Sequence, residues 1–248
     1  MYINFKNKIV VVVGGTKGIG LSITKSFLAL EAIVHIISRN RNHEIEKKLS
    51  LEYINNVFFH IADATVESDL QLIANKINNL DILVSNVGSG KSDNKAINDA
   101  TIWNLSWETN FTSALNTARV FSPLINHLGS ITFISSIAGI ENIGAPTEYS
   151  IAKSSINTFS KILSQKLAPK VRVNTAVPGN IFFKNGTWDF INSENPILVS
   201  EMLEKNVPLK RFGKPEEVAD LVIFLSSERA AFITGACITI DGGQTKSF

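Results

Sequence analysis

Cysteine is nearly missing from this chain. Cys237 stands alone, so one molecule can close no internal disulfide and offers no thiol cluster for a zinc or iron–sulfur centre. A reducing, cytoplasmic setting is the expectation. Histidine is equally sparse: His35, His43, His60 and His127 are scattered along the sequence. None falls in an H-E-x-x-H or carboxylate–histidine pattern, so no metal site is expected. An excess of one charge is also lacking, because 24 basic residues against 22 acidic ones leave a formal net charge of +2. That is too little to mark a nucleic-acid or anionic-membrane surface. The first eight residues place no apolar stretch behind a basic leader and do not read as a secretion signal. One uncharged run, 120–140, has the length of a membrane span, but Pro123, Asn126, His127 and Gly129-Ser130 break it into a helix end, a turn and a short strand. Neither nucleic acid nor membrane is expected as a partner, which leaves a small molecule.

What is present is an ordinary globular composition, 44% hydrophobic and 19% charged over 248 residues, enough for one sizeable core and read here as one domain spanning 1–248. Residues 8–13 form a β-branched apolar run that ends on Gly14-Gly15. From Gly18 onward, Ile19, Ile23, Phe27 and Leu30 recur at helical spacing. Further apolar runs at 32–37, 57–61, 80–85, 131–135, 171–176 and 236–240 predict strands. The segments 100–123 and 149–167 predict long helices, and Lys214-Pro215-Glu216-Glu217 opens another with proline and acids in its first turn. Strand–helix alternation predicts an α/β fold, and near-continuous apolar strands predict a parallel sheet covered by helices on both faces, doubly wound in the Rossmann manner.

Two motifs carry chemistry. Gly14-Gly15-Thr16-Lys17-Gly18-Ile19-Gly20 lies between the first strand and the first helix, where backbone amides at a helix N-terminus can hold a pyrophosphate. Its G-x-x-x-G-x-G spacing, taken alone, would also serve a tight turn that only lets helix and strand approach. Tyr149-Ser150-Ile151-Ala152-Lys153 sets a phenol and an ammonium on one helix face. A cation there favours phenolate and draws a group of pKa about 10 toward the range useful in acid–base work. Such a pair is also common on plain surfaces. Ser135 and Ser136 end the fifth strand, however, which brings serine, tyrosine and lysine to the carboxyl edge of one sheet, where ligands of such folds bind.

From 8 to 243 the chain resembles the short-chain dehydrogenase/reductase family in its compact single-domain branch, and within it the reductases of carrier-linked 3-oxoacyl groups. The resemblance implies a catalytic tetrad of Asn110, Ser136, Tyr149 and Lys153. Tyr149 would exchange the proton at the substrate oxygen, Ser136 would orient that oxygen, and Lys153 would bind the nicotinamide ribose and lower the Tyr149 pKa. Asn110 would hold a relaying water. It also implies cofactor contacts at Gly14, Thr16, Lys17, Gly18, Ile19 and Gly20, at Asp63 beside the adenine, and at Asn86 and Gly88 in Ser85-Asn86-Val87-Gly88. Tyr149, Lys153 and the segment Pro178-Gly179-Asn180-Ile181, through Pro178, Gly179 and Ile181, complete the set. Arg211 to Glu217 and Ile240-Asp241-Gly242-Gly243 are similar to the family's C-terminal signatures. Three positions depart from its pattern: Val13 before the first glycine, Ser85 for asparagine, and Phe183 for the threonine that contacts the cofactor amide.

At the end of the second strand an acidic residue would ordinarily bind the ribose 2′-hydroxyl. Ser38 and Arg39 stand there instead and leave room and charge for a 2′-phosphate, with Lys17 in reach. NADP(H) is therefore the expected cofactor, with NAD(H) the alternative. The reaction implied is hydride exchange with a carbonyl or secondary alcohol, a 3-oxoacyl thioester first and a sugar, polyol or steroid carbonyl second. The competing class is a nucleotide-binding scaffold or sensor without chemistry. Residues 182–206, with Trp188, Phe190, Ile191, Leu198 and Met202, are expected to form a substrate lid. The two long helices resemble those that pair between family subunits, which implies a homotetramer.

Overall fold

A computed structural model describes residues 3–92 and 95–247. Its centre is a seven-stranded sheet in the order β3-β2-β1-β4-β5-β6-β7 with every neighbouring pair parallel. The strands are β1 (Ile9–Val13), β2 (Ile33–Ser38), β3 (Val57–Ile61), β4 (Leu80–Ser85), β5 (Ile125–Ile134), β6 (Val171–Pro178) and β7 (Cys237–Ile240). The helices are α1 (Gly18–Ala29), α2 (His43–Glu52), α3 (Glu67–Ile77), α4 (Ala100–Trp107), α5 (Ser113–Phe121), α6 (Thr147–Leu167), α7 (Thr187–Glu194), α8 (Pro196–Asn206) and α9 (Pro215–Ser226). Strand order reverses between β1 and β4, which opens the crevice where ligands of such sheets bind.

The period-2 geometry of a strand divides the core in two. On β1, Val10 and Val12 join Ile23, Phe27, Val34, Val84 and Val222 on the α1–α9 side. Val11 and Val13 turn the other way, toward Leu70, Ile73, Phe121, Phe133 and Ile156 on the α3–α5–α6 side. Both faces are therefore buried, as the unbroken IVVVV run required. Asn42, Asp99 and Asn195 cap α2, α4 and α8 by accepting from first-turn amides.

Four features depart from the sequence reading. The helix expected over 100–123 is interrupted by a π-turn at Glu108–Thr112 and gives way to a 3₁₀ turn at Ser122–Leu124, where Pro123 cannot continue an α-helix. Strand β5 starts at Ile125 rather than 131, and the break expected at Gly129-Ser130 is a register shift within the strand, with Leu128 at φ 65°. The 182–206 stretch, for which no helix was predicted, holds α7 and α8. The histidines are not all scattered either: β2 and β3 pair in a register that sets His35 Nδ1 2.9 Å from His60 Nε2. The two rings stack, and His35 also stacks on Phe58. Burial drives the His35 pKa down to about 4, with His60 adding to the effect, and burial also lowers His60. Among the described residues no group of three or more potential ligands is placed to hold a metal.

Candidate active site

The glycine turn follows β1 directly. Gly14 (φ 85°) and Gly18 (φ 50°) adopt backbone conformations that side chains resist. Gly20 packs so tightly that a Cβ there would lie 2.0 Å from the Gly14 carbonyl oxygen. Lys17, the N-cap of α1, makes no side-chain capping bond, so the first-turn amides of Gly18, Ile19 and Gly20 receive no side-chain cap. Thr16 lies in the turn itself. Asn86, just past β4, donates from Nδ2 to the Gly14 oxygen at 3.0 Å and ties the two strand ends across the switch point. An uncapped helix N-terminus reached by a close-packed glycine turn fits a dinucleotide diphosphate, the group the sequence led us to expect.

At the adenosine end, Ser38 Oγ donates to the Asn40 carbonyl. Arg39 Nη1 stands 3.8 Å from Asp63 Oδ2, with the arginine side chain 69% exposed. Asp63 also accepts from the Thr65 amide and hydroxyl, and these bonds together with Arg39 hold its carboxyl below the usual range despite burial. The two residues expected to meet opposite ends of an adenosine 2′-phosphate thus also meet each other. Lys17 is exposed.

The candidate reacting groups converge at the ends of β4 and β5. Ser135 and Ser136 separate cleanly: Ser135 is buried and donates to the Lys153 carbonyl at 3.0 Å, fastening α6 to β5. Ser136 caps the following 3₁₀ turn by accepting from Ala138 and hydrogen-bonds the Tyr149 hydroxyl. Lys153 is 4% exposed. Its Nζ donates to the Ile134 carbonyl at 3.1 Å and sits 5.8 Å from the centre of the Tyr149 ring. Burial pulls the Lys153 pKa down to about 8. For Tyr149, burial raises the pKa and the Ser136 bond opposes it. No lowering from Lys153 enters that balance, its ammonium being turned to the Ile134 carbonyl.

Asn110 lies in the π-turn and is completely buried. Its Oδ1 accepts from the Ser89 amide at 3.0 Å, while Nδ2 donates to the carbonyls of Ser89 and Ser106. Both Nδ2 hydrogens are engaged in holding Ser89 and Ser106, while Oδ1 keeps one lone pair beyond its bond from Ser89. Gly88 lies in the gap between Asn110 and Lys153: a Cβ there would stand 2.7 Å from Lys153 Nζ and 2.9 Å from Asn110 Oδ1. Asn110, Ser136, Tyr149, Lys153 and Gly88 therefore share one corner.

Pro178 ends β6, Gly179 donates to the Ile240 carbonyl, and Ile181 bridges to Gly213. The departure at Phe183 has a visible consequence. Its ring covers the glycine turn so closely that a Cβ on Gly18 would lie 2.7 Å from Phe183 Cζ. Sequence reasoning flagged Phe183 without placing it. It missed Glu148 altogether, a carboxylate 1% exposed beside Tyr149; a lone acid in a first helical turn reads as a solvated group that favours the dipole.

The family profile described as enoyl-(acyl carrier protein) reductase matches residues 13–245. A 3-oxoacyl-[acyl-carrier-protein] reductase of Chlamydia trachomatis is 35% identical, covering 96% of this chain and 97% of its own. A tropinone reductase homologue of Arabidopsis thaliana is 31% identical, covering 98% of this chain and 92% of its own. The crystal structure of L-sorbose reductase from Gluconobacter frateurii, complexed with NADPH and L-sorbose, superposes with a TM-score of 0.92 at 26% identity over 100% of both chains.

Proposed function

The chain belongs to the short-chain dehydrogenase/reductase family, and from that premise we propose that it is an NADP(H)-dependent oxidoreductase acting on a carbonyl or secondary alcohol through Ser136, Tyr149, Lys153 and Asn110. The observation that carries this is the meeting of Ser136 with the Tyr149 hydroxyl beside a buried ammonium. Bound along the crevice, NADPH would supply the hydride. The glycine turn with Thr16, Lys17 and Ile19 would hold its diphosphate, Ser38 and Arg39 its 2′-phosphate, and Asp63 its adenine. Asn86, Gly88, Tyr149, Lys153 and the Pro178–Gly179–Ile181 backbone would hold its nicotinamide half.

In the reducing direction Ser136 and Tyr149 would both donate to the substrate oxygen. Tyr149 would release its proton as negative charge develops there. A phenol pushed up by burial is fully protonated near neutrality, the state a proton donor needs. Lys153 would then stabilise the phenolate left behind. The L-sorbose reductase, which resembles this chain along its whole length and was solved with NADPH, supports the cofactor reading.

A 3-oxoacyl thioester is our leading substrate class, supported by the 35% identical relative. A ketose or polyol is the second, supported by the sorbose complex. Residues 182–206 would cover the substrate: Phe182 and Trp188 pack on Phe212 at the base, while Phe190, Ile197 and Leu198 expose apolar surface. We read the chain as one NAD(P)-binding domain over 1–248 that assembles as a homotetramer, with Leu105, Ile151 and Ile162 exposed on α4 and α6 at the proposed contact. We place it in the cytoplasm, where an exposed thiol such as Cys237 stays reduced. Among the described residues no helix is long and apolar enough to cross a membrane. The test is NADPH consumption by the purified protein with acetoacetyl thioesters and with ketoses. Turnover of one class names the substrate. Tight NADPH binding without turnover of any carbonyl would favour the scaffold reading.

A further inference from the structure

Glu148 has no part in the chemistry described above, yet it is the most deeply buried acid of the described chain, at 1% exposure, and it directly precedes Tyr149. Burying a carboxylate is costly unless hydrogen bonds replace water. Both donors to Glu148 come from the segment that joins β4 to α4. Ser92 Oγ donates to Glu148 Oε1, and Asn98 Nδ2 donates to the same oxygen at 3.1 Å. Oε2 is buried without a hydrogen-bond partner. One residue earlier, Thr147 Oγ1 donates to the Ala96 carbonyl at 3.1 Å. The first turn of α6 therefore grips the far part of this segment at three points.

The near part of the same segment lies against the reacting groups. Ser89 exchanges two backbone bonds with the Asn110 side chain, and a Cβ on Gly90 would meet the Tyr149 ring at 3.7 Å. We propose that Glu148 is a positioning residue that, through Ser92 and Asn98, anchors residues 89–92 and 95–98 between β4 and α4, the first of them as the substrate-side wall over Tyr149. This rests on the assignment of Tyr149 as proton donor. Both donors use Oε1, so the anchor requires an acceptor oxygen there, not a negative charge.

The test compares Glu148→Gln, which keeps an acceptor oxygen, with Glu148→Leu, which does not, and with Ser92→Ala, a milder change on the segment side. Limited trypsin digestion reads the segment itself at Lys91 and Lys95. Glu148→Leu is expected to be cleaved there at least about tenfold faster than wild type and Ser92→Ala a few-fold faster, with Glu148→Gln near wild type. In steady-state assays Glu148→Leu is expected to raise substrate KM about tenfold with a smaller change in kcat and little change in NADPH Kd, because the diphosphate site lies on other elements and the Asn86 and Ser89 end of the segment is held by Gly14 and Asn110. A merely structural role would instead lower stability and NADPH affinity together. Glu148→Gln cleaved or impaired as badly as Glu148→Leu would overturn the acceptor argument. Unchanged cleavage in both Glu148→Leu and Ser92→Ala would overturn the anchor. The proteolysis arm needs no turnover, so a wild-type protein inert toward every carbonyl would refute the catalytic reading separately.

Discussion

Replacing Arg39 with alanine tests cofactor selection at the one place where the structure sets two expected cofactor contacts against each other. A charge-assisted hydrogen bond contributes about 1.5–3 kcal/mol, which is roughly a 10- to 100-fold effect on Kd. Two features move the expectation to the lower end. The Arg39 side chain is 69% exposed, so water and salt screen it, and Asp63 stands 3.8 Å away and competes for the guanidinium. Arg39→Ala is therefore expected to weaken NADPH binding about tenfold while NADH changes by less than about twofold. The converse variant is Asp63→Asn. It retains an acceptor oxygen for Thr65 and removes the competing charge, so the NADPH-to-NADH affinity ratio should rise a few-fold even if adenine contacts weaken both. Titrating nucleotide fluorescence gives both constants, and repeating it in high salt should shrink the NADPH advantage of wild type but not that of Arg39→Ala. Equal losses for the two nucleotides in Arg39→Ala, or tighter NADH than NADPH binding by wild type, would refute the reasoning.

Tyr149→Phe is expected to lower kcat by about 10²- to 10⁴-fold with NADPH Kd preserved, since the ring still packs and only the transferable proton is gone; a loss under about tenfold would reject Tyr149 as the acid. Lys153 has a folded pKa of about 8 against 10.5 ordinarily, so the folded state sheds a proton that the unfolded chain keeps, and stability rises with pH between these values. Below pH 8 the buried ammonium costs up to about 3 kcal/mol, partly offset by the bond to Ile134, so Lys153→Met should abolish turnover while melting no lower than about 2 kcal/mol below wild type at pH 7. A larger loss on denaturant titration would show that the ammonium is a net stabiliser. For His35 the folded pKa of about 4 lies below the ordinary 6.5, so its contribution is intact above pH 6.5 and is lost as pH falls toward 4. The slope should amount to at most about 3 kcal/mol before solvent screening, and His35→Phe should flatten it; an unchanged slope in that variant would assign acid sensitivity elsewhere.

The centre of the sheet was legible because β1, β2 and β4 are mostly apolar runs bounded by turn residues and buried on both faces. The Tyr149–Lys153 pair was legible because helical spacing alone brings two residues four apart onto one face. What escaped depends on register and on a change of helical period. His35 and His60 are far apart in sequence and meet only because β2 and β3 align His35 with Phe58 and Ile37 with His60. The π-turn at Glu108–Thr112 inserts a residue that no hydrophobic pattern announces, and it occurs where Asn110 must turn into the core. Phe183 was visible as a departure, but its packing on Gly18 follows from the path of the chain after β6.

These misses bear on how the site is organised. Tyr149 alone, desolvated and held by Ser136, is a weaker acid than a free phenol, and Lys153 alone is a weaker base than a free amine. Burial penalises the charged form of each, and the two shifts act in the same sense, both working against a phenolate beside an ammonium. If Tyr149 is the proton donor proposed above, its release of a proton would be favoured by an ammonium that keeps its proton and turns from the Ile134 carbonyl toward the phenol. That makes the groups fixing Lys153 as consequential as the pair itself. Ser135 pins its backbone, Ile134 holds its Nζ, and Gly88 leaves the space its ammonium occupies. A methyl at Gly88 would crowd the ammonium and the Asn110 side chain at once, which is why the segment after β4 must reach this corner as bare backbone.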